Sequence, residues 1–125
     1  MKKNSFVLAF VLVSVLIVSS SALAKDIVFF TSVDNLATES IYTVPAGKKF
    51  ILGSVIIGNP NDADVCCARM YNTGNDLIYV GIPAYGSFQH VFKNVVFKQG
   101  EEVQVRNGAS SGSLNFTVTG SLLSK

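Results

Sequence analysis

The sequence predicts an all-β domain of about eight short strands, an antiparallel sandwich or barrel. Three observations lead there. Runs rich in β-branched and aromatic residues recur along the chain, turn-forming residues separate them at roughly 8–12-residue spacing, and the final runs alternate apolar with polar residues. No segment carries the i, i+3, i+4 apolar stripe of an amphipathic helix.

The first residues stand apart from that pattern. Lys2 and Lys3 precede an apolar run from Phe6 to Val18, interrupted only by Ser14, and the following small residues end in Ala22-Leu23-Ala24. A positive start, a short apolar stretch and an Ala-x-Ala boundary are the layout of a secretory signal peptide. A membrane-spanning helix needs about 20 apolar residues, and this run is shorter. The expected organisation is a signal peptide over residues 1–24 and one β-sandwich domain over residues 25–125. The expected location is secreted or periplasmic, with no membrane span after cleavage. Removing Lys2 and Lys3 leaves eight basic and eight acidic side chains, so the formal net charge falls from +2 to 0. A neutral domain without clustered Lys and Arg gives no electrostatic case for nucleic acid or for an acidic membrane surface.

Taken in order, Ile27-Val28-Phe29-Phe30 reads as the first strand and the polar stretch from Ser32 to Ser40 as a loop. Ile41–Val44 and Lys49–Ile57 then flank Pro45-Ala46-Gly47. Proline fixes its own φ and glycine accepts a positive one, so the chain folds back there and the flanking runs read as a pair. Gly58-Asn59-Pro60-Asn61-Asp62 is a dense turn signal. A strand over Asp64–Tyr71, a turn at Asn72-Thr73-Gly74-Asn75 and a strand over Leu77–Val80 follow, before Pro83–Gly86 breaks the chain again. Phe88–Phe97 reads as one run and Gln99-Gly100 as a reversal. In Glu102–Arg106, Val103 and Val105 share one face while Glu102, Gln104 and Arg106 face water. After a loop over Asn107–Gly112, Leu114, Phe116, Val118 and Leu122 alternate with Asn115, Thr117, Thr119 and Ser121.

These last strands have one wet face, but earlier ones do not. Strict alternation puts Phe50, Leu52 and Ile56 on one side of their strand and Ile51, Val55 and Ile57 on the other. Ile27–Phe30 and Val91–Phe97 are likewise apolar on both faces. Such strands either lie beneath loops and termini, the expected arrangement here, or lose their outer face to another subunit.

A resemblance rests on the order of these elements. Ile41-Tyr-Thr-Val-Pro-Ala-Gly-Lys48 leads to Phe-Ile-Leu, then to an Asn-rich turn, then to Ile82-Pro-Ala and Gly-Ser before a Phe-rich strand. Phe97-Lys-Gln-Gly-Glu-Glu-Val-Gln-Val105 and a closing Val-Thr-x-Ser-Leu complete it. This pattern, over most of Ser40–Leu122, resembles small jelly-roll domains of phage virion and tail proteins and of secreted bacterial surface or appendage proteins. The resemblance implies a single antiparallel β-sandwich of jelly-roll type acting in binding or assembly, and it carries over no catalytic residue.

Residue chemistry points the same way. Cys66 and Cys67 are the only cysteines. Successive strand side chains diverge, so a bond within the pair requires a distorted backbone. Export to an oxidising compartment favours a disulfide all the same, either within the pair or to neighbouring chains. A structural zinc site needs four separated Cys or His ligands, and the chain adds only His90, so no metal site is expected. His90, between Phe88 and Phe92, has no recognisable nucleophile arrangement and reads as a satisfied or half-buried structural histidine. Glu101 and Glu102 point apart on a strand and suit no acid/base pair. Asn59, Asn61, Asp62 and Asp64 have the oxygens calcium uses but lack the EF-hand order, and turn chemistry accounts for them. Tyr71, Tyr79 and Tyr85 offer stacking surfaces for sugar rings, weakened by the absence of tryptophan.

The expected function is that of a secreted, non-enzymatic structural or assembly subunit of an extracellular or cell-surface structure, self-associating and needing no cofactor. The alternative is a secreted ligand-binding module whose ligand is a glycan or cell-surface group met by Tyr71, Tyr79 and Tyr85.

Overall fold

β-branched and aromatic runs bounded by turn residues become strands because their side chains pack well on a pleated, half-buried surface. In the computed structural model, which describes residues 24–73 and 75–125, there are nine of them. The expected signal peptide, apart from Ala24, lies outside the described residues. The strands are β1 (Lys25–Val33), β2 (Thr38–Thr43), β3 (Lys48–Gly58), β4 (Val65–Asn72), β5 (Asn75–Ile82), β6 (Ser87–Val91), β7 (Val96–Phe97), β8 (Glu102–Asn107) and β9 (Leu114–Ser124). Among the described residues no helix is long and apolar enough to cross a membrane.

Two antiparallel sheets face each other. One runs β1-β9-β3-β6, with β7 also on β3, and the other runs β2-β8-β4-β5. Apart from the β4–β5 hairpin and the split β6–β7 edge, successive strands step from sheet to sheet, and the last two return between earlier ones. With the two-residue β7 set aside as a continuation of the β6 edge, eight strands in this order make a jelly roll.

The inner faces close over one core. Phe50, Leu52, Val55 and Ile57 of β3, Leu114, Phe116 and Val118 of β9, and Val103 and Val105 of β8 are all fully buried. Each contributes about 1.5–3 kcal/mol by leaving water. An aromatic cluster bridges the sheets at one end: ring centroids lie 4.8 Å apart for Phe29 and Tyr42, 5.5 Å for Tyr42 and Phe50, and 6.0 Å for Phe50 and Phe97.

Four local expectations are corrected. Pro45-Ala46-Gly47 does form a tight turn, with Gly47 at φ +74° and Lys48 N donating to Pro45 O at 3.2 Å. The strands it joins are not paired, however: β2 pairs with β8 and β3 with β9, so the turn carries the chain between sheets. Second, Thr38-Glu39-Ser40 is strand rather than loop, because this polar edge is hydrogen-bonded to Arg106, Val105 and Gln104 of β8. Third, strict alternation fails in β3. The register with β9 shifts between Leu52 and Ser54, so Gly53 is an extra residue in a β-bulge. The bulge turns Phe50, Leu52, Val55 and Ile57 all inward and leaves Ile56 outside. Fourth, the Phe88–Phe97 run divides into β6 and β7 because it must follow that bulge. Phe92 N donates to Gly53 O at 2.9 Å and Leu52 N to Val95 O at 3.0 Å, bracketing it.

Candidate functional site

The outer face of the β1-β9-β3-β6 sheet is built from the residues that alternate away from the core. Across the strands, Phe30, Thr117, Ile56 and Gln89 make one row, and Val28, Thr119, Ser54 and Val91 make the next. No side chain in either row is charged. Phe30 is 71% exposed, Val28 66% and Val91 64%, while Ile56 and, beside Ile51, Val96 are also exposed. The expectation that loops and termini cover these strands is therefore overturned among the described residues. The other sheet shows the contrast. Its outer face carries Arg69 over the Tyr79 ring at 4.4 Å, Gln104 donating to Glu102 at 3.4 Å, and Arg106 donating to Thr38 Oγ1 at 2.9 Å.

Cys66 and Cys67 are joined to each other as a vicinal disulfide. The backbone accommodates it where the ladder is already irregular: the β4–β5 register shifts between Val65 and Ala68, and pairing of β4 with β8 begins only at Ala68. Gly108 N donates to Cys67 O at 3.0 Å, and a Cβ on Gly108 would lie 2.6 Å from Cys67 Cβ. Only glycine fits beside the cystine ring. Cys66 lines a cleft of about 370 Å³ between the turn after β3 and the loop before β9.

That loop end is held by two buried asparagines. Asn59 Nδ2 donates to Ala63 O at 2.9 Å and to Ile82 O and Pro83 O at 3.1 Å, while its Oδ1 accepts from Asn61 N at 3.0 Å. Asn107 Nδ2 donates to Val33 O at 3.1 Å and Gly112 O at 3.0 Å, and its Oδ1 accepts from Ala109 N at 3.0 Å. Two of the oxygens considered for calcium are spent on turns: Asn59 Oδ1 accepts from Asn61, and Asp64 Oδ1 accepts from Ala84 N. Among the described residues, no group of three or more His, Cys, Asp or Glu side chains gathers as a metal ion would require. The sequence pattern reads Asn107 as the start of a loop, whereas it is the buried last residue of β8. The signal was present, since the alternation that buries Val103 and Val105 also turns residue 107 inward.

The three tyrosines do not form one platform. Tyr71 and Tyr79 project from the outer face of the second sheet, Tyr71 near the β4–β5 turn, whereas Tyr85 lies in the turn beyond the far end of β5 with its N bonded to Asn61 O. His90 stacks between Phe88 and Phe92, at 6.3 and 4.7 Å between ring centroids. It is exposed rather than half-buried, because β6 is an edge strand. The Glu101 carboxylate accepts from Lys98 N within the β7–β8 turn and the Glu102 carboxylate accepts from Gln104 Nε2, so the two do separate structural work.

No protein-family model matches the chain, and no curated protein matches it. Solved structures do. The capsid asymmetric unit of cyanophage Pam1 aligns with a TM-score of 0.50 and 15% identity, over 79% of this chain and 86% of the other. A Bacillus endospore appendage protein, from a family of disulfide-linked pili, aligns with a TM-score of 0.52 and 7% identity, over 82% and 87%. These two neighbours are a virion protein and an appendage protein. At such identities the likeness is one of fold.

Proposed function

We propose that this chain is a non-enzymatic structural subunit that self-associates into an extracellular or cell-surface structure after loss of residues 1–24. The observation that carries the reading is the pair of uncharged rows on the outer face of the β1-β9-β3-β6 sheet, in which Val28, Phe30, Ile56 and Val91 are exposed; charge returns only toward its end, at Asp26 and Lys49. Four strands about 4.8 Å apart and roughly eight residues long present about 500 Å². Two copies stacked on it would bury about 1,000 Å², the level a specific interface has to clear. The fold neighbours, a capsid unit and an appendage protein, support assembly over the glycan-binding alternative, which loses ground with the separation of Tyr71 and Tyr79 from Tyr85.

The test uses Lys25–Lys125, which holds every strand of both sheets. Sedimentation of this protein is expected to show self-association, and Phe30→Asp is expected to weaken it while leaving the β-rich circular dichroism spectrum unchanged. A protein that stays monomeric up to about 1 mM, where even about 4 kcal/mol of association free energy would register, refutes the reading.

A further inference from the structure

The two ends of β3 carry opposite charge. At its start, Lys48, Lys49, Lys98 and Lys125 line a cleft of about 290 Å³ with Val96 and Gln99, and no acidic side chain lines it. Three segments are bonded together to form it. Gly47 N donates to the Gln99 side chain at 3.0 Å, Lys125 N to Gly47 O at 2.9 Å, and Lys48 Nζ to Ser124 Oγ at 3.2 Å. Four of the six lysines in Lys25–Lys125 therefore meet at one place, though only Lys48 and Lys49 are neighbours in sequence. Glu101, in the adjoining turn, has its carboxylate bonded to Lys98 N.

Beyond the other end of β3, Asp62 and Asp64 line the cleft of about 370 Å³ together with Ser110 and Ser111, and among the described residues no basic one lines it. Asp34 follows β1, which runs parallel to β3 across β9 and ends on the same side, where Asn35 Nδ2 donates to Ser110 O. The nearest base, Arg106, has its Nη1 committed to Leu36 O and Thr38 Oγ1. Eleven residues of strand separate the two clefts, about 35 Å at roughly 3.3 Å per residue.

We infer that copies of this chain also join end to end, with the lysine cleft of one copy receiving the Asp62–Asp64 turn of the next. This rests on the self-association reading and gives it a direction. The joined surfaces are different, so the contact is heterologous, and a heterologous contact that does not close grows as a string. It also behaves differently from sheet stacking. Salt screens exposed charges within about 10 Å at 0.1 M, so the end-to-end contact weakens as salt rises, whereas apolar stacking does not.

The experiment is sedimentation of Lys25–Lys125 carrying Phe30→Asp, which removes stacking, at about 20 mM and about 0.5 M NaCl. The expected result is association at low salt that weakens about tenfold or more at high salt. Lys49→Glu with Lys98→Glu abolishes it, as does Asp62→Lys with Asp64→Asn, the asparagine keeping an acceptor for Ala84 N. Mixing the two charge-altered proteins restores it, because each then meets a complementary end. Folding of each variant is checked by its thermal midpoint. A Phe30→Asp protein that is monomeric at both salt concentrations, or charge variants that associate like their parent, overturns the inference. So does a lysine cleft that binds short-chain polyphosphate while no end-to-end species forms. Wild-type protein that never associates sinks the structural-subunit reading itself, whereas wild-type association that survives high salt and vanishes with Phe30→Asp sinks only the end-to-end contact.

Discussion

Replacing Asn107 with alanine tests whether the loop end is held as described. Its side chain makes three hydrogen bonds, to Val33 O, Gly112 O and Ala109 N, and the residue is fully buried. A net contribution of about 1 kcal/mol per bond gives a loss of about 3 kcal/mol. Against a total of 5–15 kcal/mol for a typical domain, that is a large share. In urea the loss moves the midpoint down by roughly 1–3 M at constant slope, and on heating by roughly 12–24 °C. Asn107→Asp is the sharper variant. It keeps an acceptor for Ala109 N but turns a carboxylate oxygen toward two carbonyl oxygens, so near neutral pH it is expected to be at least as unstable as the alanine variant. Urea denaturation followed by circular dichroism measures both. Midpoints within about 0.5 kcal/mol of wild type for both variants would refute the role assigned to this side chain.

Two further outcomes are expected. Gly120→Ala places a methyl group against the Phe50 ring and the Ile51 carbonyl, and should lower stability by about 1–3 kcal/mol in the same urea assay, with Gly58→Ala, where nothing lies within 4 Å, as the milder comparison. The Cys66–Cys67 bond lies within one chain, so unreduced protein should show no free thiols until reduced and no reducible ladder on electrophoresis, and a ladder would contradict it.

The sheets were legible where side chains alternate, as in Val103 and Val105 of β8 and Leu114, Phe116 and Val118 of β9, all of which are buried. Alternation misled where the backbone adds a residue. In β3 one extra glycine reverses the facing of everything after it, and apolar composition looks the same before and after the bulge. The partner strands were beyond local reading, because the Pro45–Gly47 turn looks the same whether it joins paired strands or crosses between sheets. The apolar outer face was visible as composition, but whether loops covered it depended on where the loops go. The lysine cleft was invisible as a cluster, since its four contributors come from three segments brought together only by the fold.

The position of β9 sets when this domain can exist. The last strand of the chain lies between β1 and β3, and Lys25 pairs with Leu122 across nearly the whole domain. Among the described residues, β1 has no neighbour in its sheet but β9. A nascent chain stopped short of Leu114 therefore leaves its first strand without a ladder and the inner face of β3 without the Phe116 and Val118 side chains that fill the core beside it. Native pairing must wait for the final residues, and closing so long a loop favours slow folding, in milliseconds to seconds. A chain that stays open until residues 114–124 have been made remains threadable through a narrow pore until that point in its synthesis.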